Sequence, residues 1–194
     1  MRHHSRLLLL WIVSIAAVAA TTGTLIAAKP IERLTAFAVD MSNLANRTRA
    51  GTIDIVVNHW SSDQERDQLL AALREGGSDA LLKALQKIKE PAGYIRTPSS
   101  IGYPLRFARQ ISMADGGKRI IVATDRYVSF LEATTQPRSV DYPFMLVDIR
   151  MSPDGKGMGK LMPLAKVTMN EDHVVEIENY ASEPVRLTEV RELK

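Results

Sequence analysis

Pro143-Phe144-Met145-Leu146-Val147-Asp148-Ile149-Arg150-Met151, followed by Ser152-Pro153-Asp154-Gly155 and then by the run Gly157 to Met169, is the stretch whose reading decides the fold. Pro153 presets the first angle of a turn and Asp154-Gly155 closes it, so two long apolar runs fold back on one another. The product is an antiparallel hairpin. Phe144 to Val147 is apolar at every position, which requires cover on both faces of the strand, and a sheet that curls or folds onto itself provides it.

The same grammar continues on either side. Upstream, Leu105 to Ser112 and Lys118 to Thr124 flank Asp115-Gly116-Gly117, a tight turn favoured because glycine tolerates positive φ. Downstream, Asn170-Glu171-Asp172 leads into His173 to Tyr180, where Glu176 and Glu178 alternate with apolar residues, and Glu183-Pro184 precedes a last strand from Val185 to Val190. Nearer the start, Leu34 to Val39 reads as a strand and Ser42 to Arg49 as the loop after it. In Gly51 to Trp60 the alternation puts Ile53, Ile55, Val57 and His59 on one face.

One region breaks this pattern. Ser62 and Glu65 form a capping box, which satisfies amides that the first helical turn leaves unpaired. Leu69, Leu70 and Leu73 then recur at the helical period until Gly76-Gly77, and Ser78 caps a second run with Leu81, Leu82, Leu85 and Ile88 that Pro91 terminates. The spacing predicts a helical hairpin over about residues 62–90, with Leu69, Leu73, Leu82 and Leu85 against the sheet. The expected fold is therefore α+β: an antiparallel, strongly curved or barrel-like sheet with one inserted helical hairpin. No repeat or low-complexity linker interrupts residues 29–194, which read as a single α+β domain.

Residues 1–28 read differently. Arg2 and Arg6 precede an apolar run from Leu7 to Ala20, and small residues continue through Thr24 to a second apolar stub ending at Ala28. This is the layout of a secretory signal peptide, with cleavage between positions 19 and 28. The alternative is an uncleaved anchor, because residues 7–28 are long enough to span a bilayer and would hold the protein at the inner membrane. The expected address is thus exported, periplasmic or extracellular. The chain has no Cys, which excludes disulfides, thiolate metal sites, a Cys nucleophile and a lipidated leader. Its 25 Lys and Arg stand against 22 Asp and Glu, and loss of Arg2 and Arg6 brings this close to balance. Such a surface has no nucleic-acid footprint.

Reactive side chains are scarce. Of four His, two lie in the leader, leaving His59 and His173. His59 shares the apolar face of its strand, and the neighbouring Ser62 and Asp63 are better used in capping than in a catalytic triad. Glu171-Asp172-His173 offers three ligand types in one turn without the spacing of a cation site, so neither a metal nor another cofactor is expected. Gly155-Lys156-Gly157-Met158-Gly159-Lys160 lacks the glycine and the hydroxyl that a phosphate loop requires at positions 154 and 161, and glycine there reads as allowing close approach within a strand. The remaining candidates are cations and aromatics in the extended half. Arg96, Arg106, Arg109, Arg119, Arg126, Arg138 and Arg150 could gather with Tyr94, Tyr103 or Tyr127 into an anion or peptide carboxylate site, because a guanidinium fork matches carboxylate geometry. The ligand-binding candidates are Arg109, Arg150, Tyr94, Tyr103 and His59. Arg150 shares parity with Asp148, which predicts an ion pair between them.

The stretches Glu65-Arg66-Asp67-Gln68-Leu69-Leu70-Ala71-Ala72-Leu73, Gly93-Tyr94-Ile95-Arg96-Thr97-Pro98, Ile121-Val122-Ala123-Thr124-Asp125-Arg126 and Tyr142-Pro143-Phe144 resemble a group of small, uncharacterised exported bacterial proteins. The likeness runs from about Phe37 to Arg191. It implies export and brings no activity, ligand or catalytic residue. The expected function is a non-catalytic exported binding module for a small ligand or an envelope protein. Its rivals are a carboxylate-based envelope hydrolase using Asp125 or Asp148 and a membrane-tethered interaction protein.

Overall fold

Strands that are apolar on one face bury that face most completely when the sheet curls on itself. The computed structural model describes residues 30–41, 49–126 and 141–193; the leader, residues 42–48 of the loop expected after the first strand, Tyr127 and Arg138 lie outside them, and Arg49, expected to end that loop, begins a strand instead. In chain order the elements are β1 (Glu32–Asp40), β2 (Arg49–Val57), α1 (Asp63–Lys87), β3 (Gly93–Arg96), β4 (Tyr103–Leu105), β5 (Phe107–Ser112), β6 (Lys118–Ala123), β7 (Phe144–Met151), β8 (Lys156–Met169), β9 (Val175–Asn179) and β10 (Val185–Glu192). The strands form one ten-stranded sheet in the order β4-β3-β2-β1-β10-β8-β7-β6-β5, with β9 paired to β8 off that path. All these pairs are antiparallel. Only Arg106 separates β4 from β5, so the two ends of the path meet in one bent length of chain. The sheet is a nearly closed barrel, and with the one helix found among the described residues the fold is broadly α+β.

The alternation read in the sequence sets what lies inside. Leu34 and Ala36 of β1, Ile53 and Ile55 of β2, Ile120 and Val122 of β6, Val147 and Ile149 of β7, and Leu161 of β8 belong to one buried cluster. Each large aliphatic side chain withdrawn from water contributes about 2 kcal/mol. Gly157 and Gly159 oppose Met151 and Ile149 across the β7–β8 ladder. A Cβ on Gly157 would lie 2.5 Å from the Met151 sulfur, and one on Gly159 would lie 2.8 Å from Ile149 Cγ1. The glycines make room for neighbours that fill the barrel, the close approach their spacing suggested.

Polar side chains sit where the apolar filling ends. Lys118 begins β6 and reaches across to Glu32 at the start of β1, four strands away around the sheet. Its Nζ donates to both Glu32 oxygens, at 3.0 and 2.8 Å, and to Glu192 of β10 at 3.3 Å. The Glu32 side chain is only 6% exposed. Burial acts to lower the Lys118 pKa, but its bonds to Glu32 and the charges of Glu32 and Glu192 outweigh this and hold it above the ordinary lysine value.

The apolar run of β7 is covered on both sides, and the outer cover is the helix. Met145 and Val147 join the interior cluster, while Phe144 and Leu146 lie in a second cluster with Leu69, Leu73, Leu81 and Leu85 of α1. The capping box forms as read: the Glu65 amide donates to Ser62 Oγ, and the Ser62 amide donates to the Glu65 carboxylate. The expected helical hairpin is corrected to one helix, Asp63–Lys87, kinked at Gly76 and Gly77. Gly77 has φ 66 and ψ −155, a combination essentially reserved for glycine. It redirects the helix without a connecting loop. The kink also shifts the buried register: Leu81 is 8% exposed, whereas Leu82 is only partly buried against the cluster.

Leu85 is 3% exposed. Leu85→Ala is expected to cost about 3 kcal/mol and to lower Tm by roughly 9 °C, read by calorimetry. Lys118→Met should leave the Glu32 carboxylate buried without its cation and cost about 2 kcal/mol after allowance for partial exposure. Because the Lys118 pKa is raised on folding, the wild-type advantage is complete below the unfolded lysine pKa and disappears as pH rises through the folded value. The difference in Tm between the two proteins should therefore hold from neutral pH to the edge of the lysine range and then shrink.

Candidate functional site

Strand parity decides which side chains meet on the outside of the barrel. Along β7 the outward residues after Leu146 are Asp148 and Arg150, and along β8 they are Met158 and Lys160. Asp148 opposes Lys160, and Arg150 opposes Met158. On the other side of β8, Arg186 of β10 opposes Lys160. The β10–β8 register then shifts between Leu187 and Val190, and Glu189 in this interval has φ 50. A bulge of this kind bends its strand and re-aims the side chains around it. The result is a concavity of about 570 Å³ lined by Asp148, Arg150, Met158, Lys160, Arg186 and Glu189, among others.

Its charges are not balanced internally. Asp148 is held by Arg119 of β6, whose Nε and Nη2 donate to the two carboxylate oxygens at 2.8 Å each. This bidentate bond raises the Arg119 pKa against an opposing effect of burial. Glu189 faces Arg191 at 3.5 Å, and Arg186 faces Glu183 at 3.6 Å. Among the described residues Arg150 and Lys160 form no ion pair. Both are exposed, and Met158 beside them is 70% exposed. The expected Arg150–Asp148 pair is thus corrected. Residues two apart on a strand lie farther apart than cross-strand neighbours, and Arg119 reaches Asp148 from the adjoining strand.

The other candidates do not join Arg150. Arg109 on β5 donates to Asp63 at 2.7 Å and pins the start of α1. That bond is the main cause of an Asp63 pKa below the ordinary carboxylate value. Tyr94 lies on β3 under the Arg96 guanidinium, 5.7 Å from its ring centroid. Arg96 also faces Asp54 at 3.4 Å. Tyr103 packs against the interior cluster. His59 falls beyond the end of β2 instead of within a strand; it is half-buried, and its amide donates to the Ala92 carbonyl. The serines near it have structural partners. Ser61 exchanges hydrogen bonds with Ala108 of β5, and Ser62 caps the helix.

The two carboxylates considered for hydrolysis have separate arginine partners, Arg119 for Asp148 and Arg106 for Asp125 at 3.1 Å. Arg106 also donates to the Ile88 carbonyl at 2.9 Å, which joins the end of the helix to the bend between β4 and β5. The Glu171-Asp172-His173 turn is organised by Asn170, whose side-chain oxygen accepts from the amides of Asp172 and Val174. Among the described residues no three His, Asp or Glu side chains gather as a metal site. Lys160, Arg186 and Met158 were not among the sequence candidates. The available signal was the outward parity of Met158 and Lys160 in β8, opposite that of Leu161.

No family model, curated protein or solved structure matches this chain.

The pairing makes a discriminating prediction. Arg119→Ala should cost about 1 kcal/mol, because it removes both bonds to a partly exposed Asp148. Arg150→Ala should change stability by less than about 0.5 kcal/mol. Urea denaturation of the two variants against the parent measures both values.

Proposed function

We propose that this chain is an exported, non-catalytic binding module that engages an acidic segment of an envelope protein through the concavity formed by β7, β8 and β10. One observation carries this reading: Arg150 and Lys160 have no ion pair among the described residues and flank an exposed Met158 at a bulged strand. Cations grouped without ion pairs around an exposed apolar side chain raise the rate and specificity with which an anionic partner docks. The barrel interior supports the same choice, because large aliphatic side chains occupy the space where a small ligand would sit. Export rests on the charged and apolar organisation of residues 1–28.

A fluorescently labelled oligoglutamate peptide tests the site. Its anisotropy should rise with protein concentration at low salt and fall as salt increases. Arg150→Glu combined with Lys160→Glu should weaken binding by about tenfold or more, with Tm unchanged. Absence of binding by the parent, or equal binding by the double variant, would overturn this assignment. Export has its own readout in the intact mass of protein recovered from the cell envelope, which should lack a leader ending between positions 19 and 28.

A further inference from the structure

β8 is longer than the barrel needs. Its contacts with β7 extend to Ala165, opposite Phe144, while Ala165 to Met169 form a hairpin with β9. Among the described residues no strand pairs with the other edge of β9. Such an edge presents a row of backbone donors and acceptors to any extended chain. Its side chains are equally available: Val174, Val175 and Ile177 are 54%, 40% and 49% exposed.

The two faces of β9 differ. Val175 opposes Met169 and Ile177 opposes Val167, and Val167 and Met169 belong to the apolar cluster beneath α1. This face therefore continues the surface under the helix to an uncovered margin. The opposite face carries Glu176 and Glu178, which accept hydrogen bonds from Asn170 and Tyr142. From Asn170 to Ser182 the chain has Glu171, Asp172, Glu176 and Glu178 and no Lys or Arg.

We propose that β9 is a docking edge for an extended segment of another protein, with basic residues alternating with apolar ones. The added strand would pair by backbone hydrogen bonds, set its apolar side chains beside Val175 and Ile177, and set its cations beside Glu176 and Glu178. Charge selects this occupant over a second copy. In an antiparallel β9–β9 pair, registers that match apolar face to apolar face put Glu176 opposite Glu178, or Glu176 opposite itself. Like charges directly opposed are destabilising. Registers offset by one residue avoid that clash only by setting acidic side chains against the apolar face.

The probe is a labelled peptide of alternating Lys and Val, compared with the same peptide N-methylated at every residue. The charge is equal, but the methylated peptide cannot donate along the edge. The purified protein should bind the unmodified peptide and bind the methylated one about tenfold more weakly. Glu176→Lys with Glu178→Lys, verified by circular dichroism and Tm, should transfer preference to an alternating Glu and Val peptide. The peptide pair tests the unmodified protein even if that variant misfolds. Equal binding of the two Lys and Val peptides would reduce the effect to charge alone and overturn the proposal, as would no binding. A dimer in sedimentation that Ile177→Pro dissociates would assign the edge to a second copy instead. Arg150→Glu should leave this binding unchanged, which separates it from the acidic-segment site.

Discussion

A sheet that turns one apolar face inward must bring its first and last strands together, and the pairing of β1 with β10 meets that requirement. β1 is hydrogen-bonded on both sides, to β2 along nine register positions and to β10 across a bulge. The remaining edges meet through the bend at Arg106. Curvature leaves only one kind of residue tolerable inside, so the aliphatic positions on alternate residues become the core. It also moves charge to the ends, where Lys118 crosses to Glu32 with Glu192 beside it. A buried pair of this kind contributes less through net attraction than through the cost of separating it, so it fixes which strands oppose one another.

The helix follows from that closure. With the interior filled, the outward apolar residues of β7 and the far part of β8 need an external cover, and four leucines of α1 supply it. The kink at Gly76 and Gly77 divides the helix into two directions while all four leucines remain against the sheet. Arg109 and Arg106 then hold its two ends, one through Asp63 and the other through the Ile88 carbonyl. Several arginines that resemble binding residues in the sequence are therefore part of how the helix is mounted.

What remains for recognition is the outer surface that α1 leaves uncovered, and β8 connects its two contrasting parts. The early residues of β8 contribute Met158 and Lys160 to a cationic concavity. Its later residues carry β9, whose exposed face is acidic on one side and apolar on the other. The separation of charge along one strand is compatible with a nearly neutral total because each region is local. Net charge therefore conceals both surfaces, and strand parity combined with register exposes them.

Local chemistry is what the sequence by itself determined. The Pro-Asp-Gly and Asp-Gly-Gly turns, the Ser62–Glu65 capping box, the break at Gly76-Gly77 and the alternation that makes Ile53 and Ile55 core residues all depend on neighbours within a few positions. Register is what only the tertiary structure decided. Arg119 takes Asp148 in place of Arg150, Arg109 takes Asp63, and Arg150, Lys160 and Arg186 line one concavity beside a bulge. Tyr94, Tyr103 and His59 disperse to other parts of the barrel. The physical reason is that side chains on a sheet find their closest partners across strands, so an ion pair depends on which strands lie side by side and at what offset, and those follow from how the whole sheet closes.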